Sequence, residues 1–321
     1  MFVVFDTNVY RTFVNGLSEE ESLNKIQELK SLETSKGIKS LLSSTVASEL
    51  ISHILDGDRF DKEGECTKAL RIMYCHSGDN TQYGIVPAPE IQLAKEFFNK
   101  EDDKGISTEK AIIEIAYQLF LSPSESTVET LHHNIDSIKI HNNEVEEMMS
   151  EYLVALANTW RTCGSSELVK SNQVKIIQSL ALIISVATKV DFKFPKSDNC
   201  YVLLHIFEPF IKLYQERYPI PLQMMVDFCK KCSDSNFIPD KPERVNQVWD
   251  QRILHVAGQR IGGQDIILVT NDKGMLDAAR NSEATLTIEN PDLKKYGIDP
   301  ASVSNNVMRY SDYISFLEAK I

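Results

Sequence analysis

Two places in the chain carry the same three residue types: Asp6-Thr7-Asn8 near the start and Thr270-Asn271-Asp272 near the end. Each follows a short apolar run, Phe2-Val3-Val4-Phe5 and Ile266-Ile267-Leu268-Val269, that reads as a buried parallel strand. Side chains at the carboxyl ends of such strands are placed where open α/β sheets build their sites. Two more acids stand beside apolar stripes of expected helices: Glu49 next to Leu50, and Asp250 next to Trp249. At 100° per residue each lies at the margin of a buried face and is able to point at a strand end. If Asp6, Glu49, Asp250 and Asp272 converge, carboxylates ~4 Å apart repel by about 4 kcal/mol at an effective dielectric near 20. They then share protons or bind a cation. An all-oxygen set without His or Cys selects a hard ion, Mg²⁺ or Mn²⁺. Such an ion suits phosphodiester hydrolysis, with Thr7, Asn8, Thr270 and Asn271 orienting the acids or a water. Arg11 and Lys273 are placed to meet phosphates, or serve as ordinary surface charge.

The elements that must position these residues are legible in part. Ser18 is a plausible N-cap for a helix over 18–32. Leu41-Leu42-Ser43-Ser44 suggests a second strand, and 45–55 a helix with Val46, Leu50 and Ile54 on one face. Asp56-Gly57-Asp58 opens a charged loop. From Glu90 to about Asp240 the patterns are helical, with breaks near Pro123, Pro195, Pro219-Ile220-Pro221 and Pro239. Within that stretch Val128, Leu131, Ile135, Ile138, Asn142, Val145, Met149, Tyr152 and Leu156 alternate spacings of three and four. This is a heptad seam with one polar member, read either as a long helix inside a bundle or as a coiled-coil arm for a dimer or partner. After Pro242 the spacing predicts a helix over 245–261, with Val245, Trp249, Ile253 and Val256 inward, stopped by Gly262-Gly263. A strand over 265–269, a short helix over 275–280, a strand candidate over 284–288 and a final helix capped by Ser311 complete the pattern.

These residues together resemble the PIN-domain nucleases. The likeness rests on Val-Val-Phe-Asp6-Thr7-Asn8-Val, Ser-Ser-Thr-Val-Ala-Ser-Glu49-Leu, Asp250-Gln-Arg-Ile-Leu and Ile-Leu-Val-Thr270-Asn271-Asp272-Lys-Gly-Met. The resemblance implies a Rossmann-like α/β core with a parallel central sheet, formed by residues 1–60 and 243–321. A large all-helical insertion at 61–242 interrupts it, a candidate partner, dimer or substrate module. It implies that Asp6, Glu49, Asp250 and Asp272 are catalytic metal ligands, that Thr7, Asn8, Thr270 and Asn271 support them, and that Mg²⁺ or Mn²⁺ serves RNA cleavage. The insertion separates Asp250 from Glu49 far more than in the family's small toxins, which leaves Asp227 and Asp277 as alternative ligands. By analogy with large bacterial relatives the role is a toxin or an antiviral effector restrained by a regulatory protein. A DNA-directed nuclease and a non-catalytic scaffold binding a partner stay open. The start also resembles haloacid-dehalogenase-type phosphatases in part, but their motif repeats an acid where this chain has Asn8.

Composition bounds the alternatives. The 321 residues carry a net charge of −12 with a pI of about 5.1. This argues against non-specific coating of nucleic acid and for confined, metal-assisted contact. The longest apolar stretch, 176–190, is too short and polar to cross a membrane, which needs roughly 20 residues. The N-terminus lacks the basic start of a signal peptide. Six cysteines do not make a disulfide framework, and a reducing cytoplasm fits them. Cys229-Lys-Lys-Cys232 is a lone CxxC without the second pair that zinc sites use.

Overall fold

A computed structural model describes residues 1–54, 64–99, 101, 103–122, 124–163, 176–177, 180, 200–232, 241–282 and 306–319. The expected loop at 56–58 and strand at 284–288 lie outside the described residues. The molecule is a mixed α/β structure, mostly helical, around a small sheet.

The sheet is built on β1 (Phe2–Phe5) and β4 (Gln264–Thr270), paired in parallel with Phe2 opposite Ile266 and Phe5 opposite Val269. All four residues of β1 are buried, the mark of a central parallel strand covered on both faces. β2 (Lys39–Ser40) flanks β1, and β5 (Val307–Arg309) flanks β4, both in parallel. The parallel order is therefore β2-β1-β4-β5, and the register sets Asp6 and Thr270 side by side where the two central strands end.

Five sequence expectations are corrected here. The second strand is Lys39–Ser40, and Leu41–Ser44 runs on beyond it as extended chain. That segment meets Val86 of the insertion in one parallel bridge: the Val86 N–H donates to the Leu42 carbonyl at 2.9 Å. The insertion is thus not purely helical. The helix expected over 245–261 spans Lys241–Leu254, continues as a 3-10 turn over His255–Gly258, and gives way to β3 (Arg260–Ile261). Gly262 and Gly263, at φ 59° and 82°, form the tight turn of an antiparallel hairpin between β3 and β4, not a helix stop. Two consecutive positive φ values suit glycine. The last helix starts at Tyr310 rather than after Ser311, with Arg309 at its N-cap.

Twelve helices are described: α1 (Thr7–Thr12), α2 (Glu19–Ser35), α3 (Ser44–Ser52), α4 (Glu65–Ser77), α5 (Pro89–Phe98), α6 (Asp103–Leu121), α7 (Glu125–Cys163), α8 (Cys200–Arg217), α9 (Pro219–Cys232), α10 (Lys241–Leu254), α11 (Lys273–Asn281) and α12 (Tyr310–Glu318). Ser18 caps α2 as expected, in a reciprocal box with Glu21: the Ser18 N–H donates to Glu21 Oε2 at 2.8 Å. α10 buries Val248, Trp249, Ile253 and Leu254, while Val245 is only half-buried. The heptad seam lies inside the chain: Leu131, Ile135, Ile138, Asn142, Tyr152 and Leu156 are buried, and α7 packs on α3, α6, α9 and α10. It follows the bundle reading, and the free coiled-coil arm is corrected. One hydrophobic cluster joins the sheet to α4, α6 and the first half of α7, so the insertion shares its core with the strands. Cys229 and Cys232 are fully buried among apolar side chains.

Candidate functional site

The parallel pairing of β1 and β4 creates the site's floor. The Asp6 N–H donates to the Val269 carbonyl at 3.0 Å, extending the ladder by one bond. One residue further along β4, the Thr270 hydroxyl donates to Asp6 Oδ2 at 2.6 Å. That hydroxyl also accepts from the Asp272 N–H at 2.9 Å. Thr270 thus fixes both strand-end acids. Asn8 reaches across from α1: its amide donates to the Thr270 hydroxyl at 3.4 Å, and its Oδ1 accepts from the Asn271 N–H at 3.2 Å. The two triplets therefore interlock, each supplying the other's polar partners.

Asp272 doubles as the N-cap of α11, its Oδ1 accepting from the Met275 N–H at 2.7 Å. Gly274 matters here: a Cβ on it would stand 3.1 Å from that same oxygen. The sequence offered no signal for this beyond a glycine in a first helical turn.

Glu49 approaches from α3, where the Thr7 hydroxyl donates to Glu49 Oε2. Asp250 approaches from α10. Burial pushes the Asp250 carboxyl up to about 9, with the charges of Asp272, Asp6 and Glu49 adding to the effect. Burial also lifts Glu49 to about 7, Asp6 adding to it, while the Thr7 hydrogen bond and the charges of Arg11 and Arg252 oppose it. Asp6 rises to about 6 through burial, against the Thr270 hydrogen bond and with the charge of Asp272. The four acids stand in one another's fields, and among the described residues none of them is held in an ion pair.

The competing acids lie elsewhere. Asp277 pairs with Arg280 at 3.1 Å on the surface of α11, and Asp227 meets Gln223 and Lys230 on α9. Asp250 is the third acid that the fold brings to Asp6 and Asp272. Arg11 is partly exposed and stands 3.7 Å from Glu65, while Lys273 is exposed at the start of α11. Neither is locked into the acid cluster.

The sequence did not reveal what holds Glu49 and Asp250 in place. Asn142, the polar member of the seam, is fully buried against α3. Its Oδ1 accepts from the Ser48 hydroxyl at 2.7 Å, and its amide donates to the Ser48 carbonyl at 3.1 Å and the Ser52 hydroxyl at 2.6 Å. One turn on, Glu146 accepts from the Trp249 indole at 2.8 Å, beside Asp250. One helix of the insertion thus sets the two acids that do not come from strand ends.

Among the described residues no three His, Cys, Asp or Glu side chains are drawn tightly enough to hold an ion as they stand. The donor chemistry nevertheless fits a hard divalent cation. It is all carboxylate, and burial, with mutual repulsion adding to it, raises the proton affinity of Asp6, Glu49 and Asp250, which a cation would relieve. Comparison of the chain with protein-family models, with curated proteins and with solved structures finds no match.

Proposed function

We propose that the protein is a metal-dependent nuclease of PIN-like architecture that hydrolyses phosphodiester bonds, with RNA as substrate. The observation that carries this reading is the convergence of four carboxylates, unpaired by any cation among the described residues, at the carboxyl ends of two central parallel strands. A protein that kept these acids for stability would pair them with Arg or Lys.

Asp6, Glu49, Asp250 and Asp272 would hold Mg²⁺ or Mn²⁺. The ion, when bound, supplies charge neutralisation at the phosphate and a water of lowered pKa. The remaining work belongs to the chain. The Thr270 hydroxyl aims Asp6 and fixes the turn that presents Asp272. The Thr7 hydroxyl restrains Glu49. The Asn8 side chain ties α1 to the Asn271 backbone. Arg11 and Lys273 supply positive charge at the edge of an otherwise acidic site, where a phosphate backbone would lie.

The test is cleavage of labelled single-stranded RNA and DNA with Mn²⁺ or Mg²⁺. The expected result is RNA cleavage that EDTA stops and that Asp6→Asn lowers by at least about 100-fold, in line with losing one preorganised transition-state contact. Cleavage that survives Asp6→Asn would overturn the assignment. Cleavage of DNA alone would retain the site and change the substrate.

A further inference from the structure

Besides Glu49, α3 carries a stripe of serines. Ser44, Ser48 and Ser52 recur every four residues and so share one face of the helix. Serine is a weaker helix former than alanine, and a buried hydroxyl without a partner is costly. Each of these hydroxyls is answered from the insertion. Ser48 and Ser52 meet Asn142 of α7. Ser44 meets Glu109 of α6, its hydroxyl donating to Oε1 at 2.7 Å.

The same Glu109 oxygen accepts from the Ala88 N–H at 2.7 Å. Ser44 is the first residue of α3, and Ala88 is the N-cap of α5. One carboxylate thus stands at the N-terminal ends of two helices, where their dipoles favour a negative charge. Two residues past Ala88, Glu90 accepts from the Arg252 guanidinium at 2.6 Å. That guanidinium lies 4.6 Å over the Trp249 ring, and the two residues flank Asp250 on α10. Two lines of contact therefore start at Glu109. One runs through Ser44 to the helix of Glu49, the other through Ala88, Glu90 and Arg252 to the helix of Asp250. α6 also packs on α4, so this node is anchored outside the helices it joins.

We propose that Glu109 is a positioning residue for the acid site, an inference that rests on the reading of the four acids as a cation site. It fixes α3 and α10 relative to each other, and with them Glu49 and Asp250, without touching ion or substrate. Asp6 and Asp272 have no such need, because the register of β1 on β4 places them. Apolar packing is non-directional. Hydrogen bonds at Ser44 and again at Ser48, about 6 Å further along the axis, fix both the rotation and the rise of α3.

The test combines Mn²⁺ affinity of the full chain, read by electron paramagnetic resonance at pH 8, with steady-state RNA cleavage. Glu109→Leu removes the shared acceptor and should weaken Mn²⁺ binding about tenfold, the lower end of what losing an outer-sphere partner costs. kcat should fall by a similar factor with KM little changed. Glu109→Gln keeps an acceptor oxygen and should restore both, while melting lower because it lacks the charge that the helix ends favour. Ser44→Ala breaks one line only and should give a smaller loss, adding nothing in the Glu109→Leu background. Wild-type Mn²⁺ affinity in a folded Glu109→Leu, or a Glu109→Gln as weak as Glu109→Leu, would overturn the proposal and leave the nuclease reading standing. If Glu109→Leu fails to fold, unchanged Mn²⁺ affinity in Ser44→Ala would overturn it. Wild-type protein that neither binds Mn²⁺ nor cleaves would overturn the nuclease reading, and this inference with it.

Discussion

Glu33 and Asp250 are both carboxylates taken largely out of water, and their surroundings are opposite. Glu33 lies under β1, 2% exposed. It accepts from the Tyr313 hydroxyl at 2.5 Å and stands 2.8 Å from His76 Nε2, whose other ring nitrogen meets the Tyr10 hydroxyl at 3.1 Å. The ring of Phe5 packs on this group, 4.7 Å from His76 and 5.4 Å from Tyr313. Asp250 faces three other acids. The first arrangement is closed, with each polar atom answered by another. The second is open on the side where charge is unbalanced. A buried acid with complete partners reports on stability, whereas buried acids that repel one another share protons or take up a cation. The two lie a few residues apart along the same strand and helix: Phe5 and Tyr10 belong to the closed network, Asp6 to the open cluster.

The sharpest way to break this comparison is to remove one acid from each region. Glu33→Leu should destabilise the fold by about 3–5 kcal/mol, because it strands His76 and Tyr313 in the core. Chemical denaturation measures it, and a loss below 1 kcal/mol would mean that the closed network is not structural.

Asp250→Asn should act in the other direction. Asp6, Glu49 and Asp250 all have folded-state pKa values above their unfolded ones, so the folded chain binds more protons. Their protonated forms are the stable ones, and without metal the stability falls as pH rises from about 4 through about 9. Removing the charge at Asp250 should therefore stabilise the metal-free protein at pH 8, by about 2 kcal/mol, the scale of a buried unpaired polar group. The gain should vanish near pH 4. Melting curves at the two pH values decide it, and destabilisation at pH 8 would contradict the repulsion.

A smaller effect should come from Asn142→Leu. It removes the acceptor of the Ser48 hydroxyl and a donor to the Ser52 hydroxyl and loosens the register between α7 and α3, costing about 1–3 kcal/mol. Because α3 carries Glu49, cleavage should fall about tenfold with KM little changed, as expected for displaced catalytic geometry. Equal loss in a distant variant of matched stability would reduce Asn142 to a packing residue.

How far the sequence carries one toward this picture depends on the kind of signal. Asp6 and Asp272 were legible because an apolar run of β-formers ending in polar residues is a local pattern, and parallel pairing then aligns both ends. β5 was not, since Val307–Arg309 is three residues long and gains its meaning only from β4. The hairpin at Gly262-Gly263 read as a helix end because glycine marks both, and only the two positive φ values separate them. The seam of α7 was visible as a period, yet its purpose was not. Asn142 answers to serines some ninety residues away in the chain, and no linear pattern encodes that pairing. The same holds for the closed network: Glu33, His76 and Tyr313 come from three helices and meet only in the folded chain.

The central claim, that the open cluster is a cation site and the closed one is not, is tested most directly by Mn²⁺ binding followed by electron paramagnetic resonance. Wild-type protein should bind Mn²⁺ with an affinity that rises between about pH 6 and pH 9 as the three raised carboxyls lose their protons. Asp6→Asn should remove that binding, and a conservative Glu33→Gln, checked for folding, should leave it intact. Binding that is absent at every pH, or that persists in Asp6→Asn and disappears in Glu33→Gln, would contradict the account.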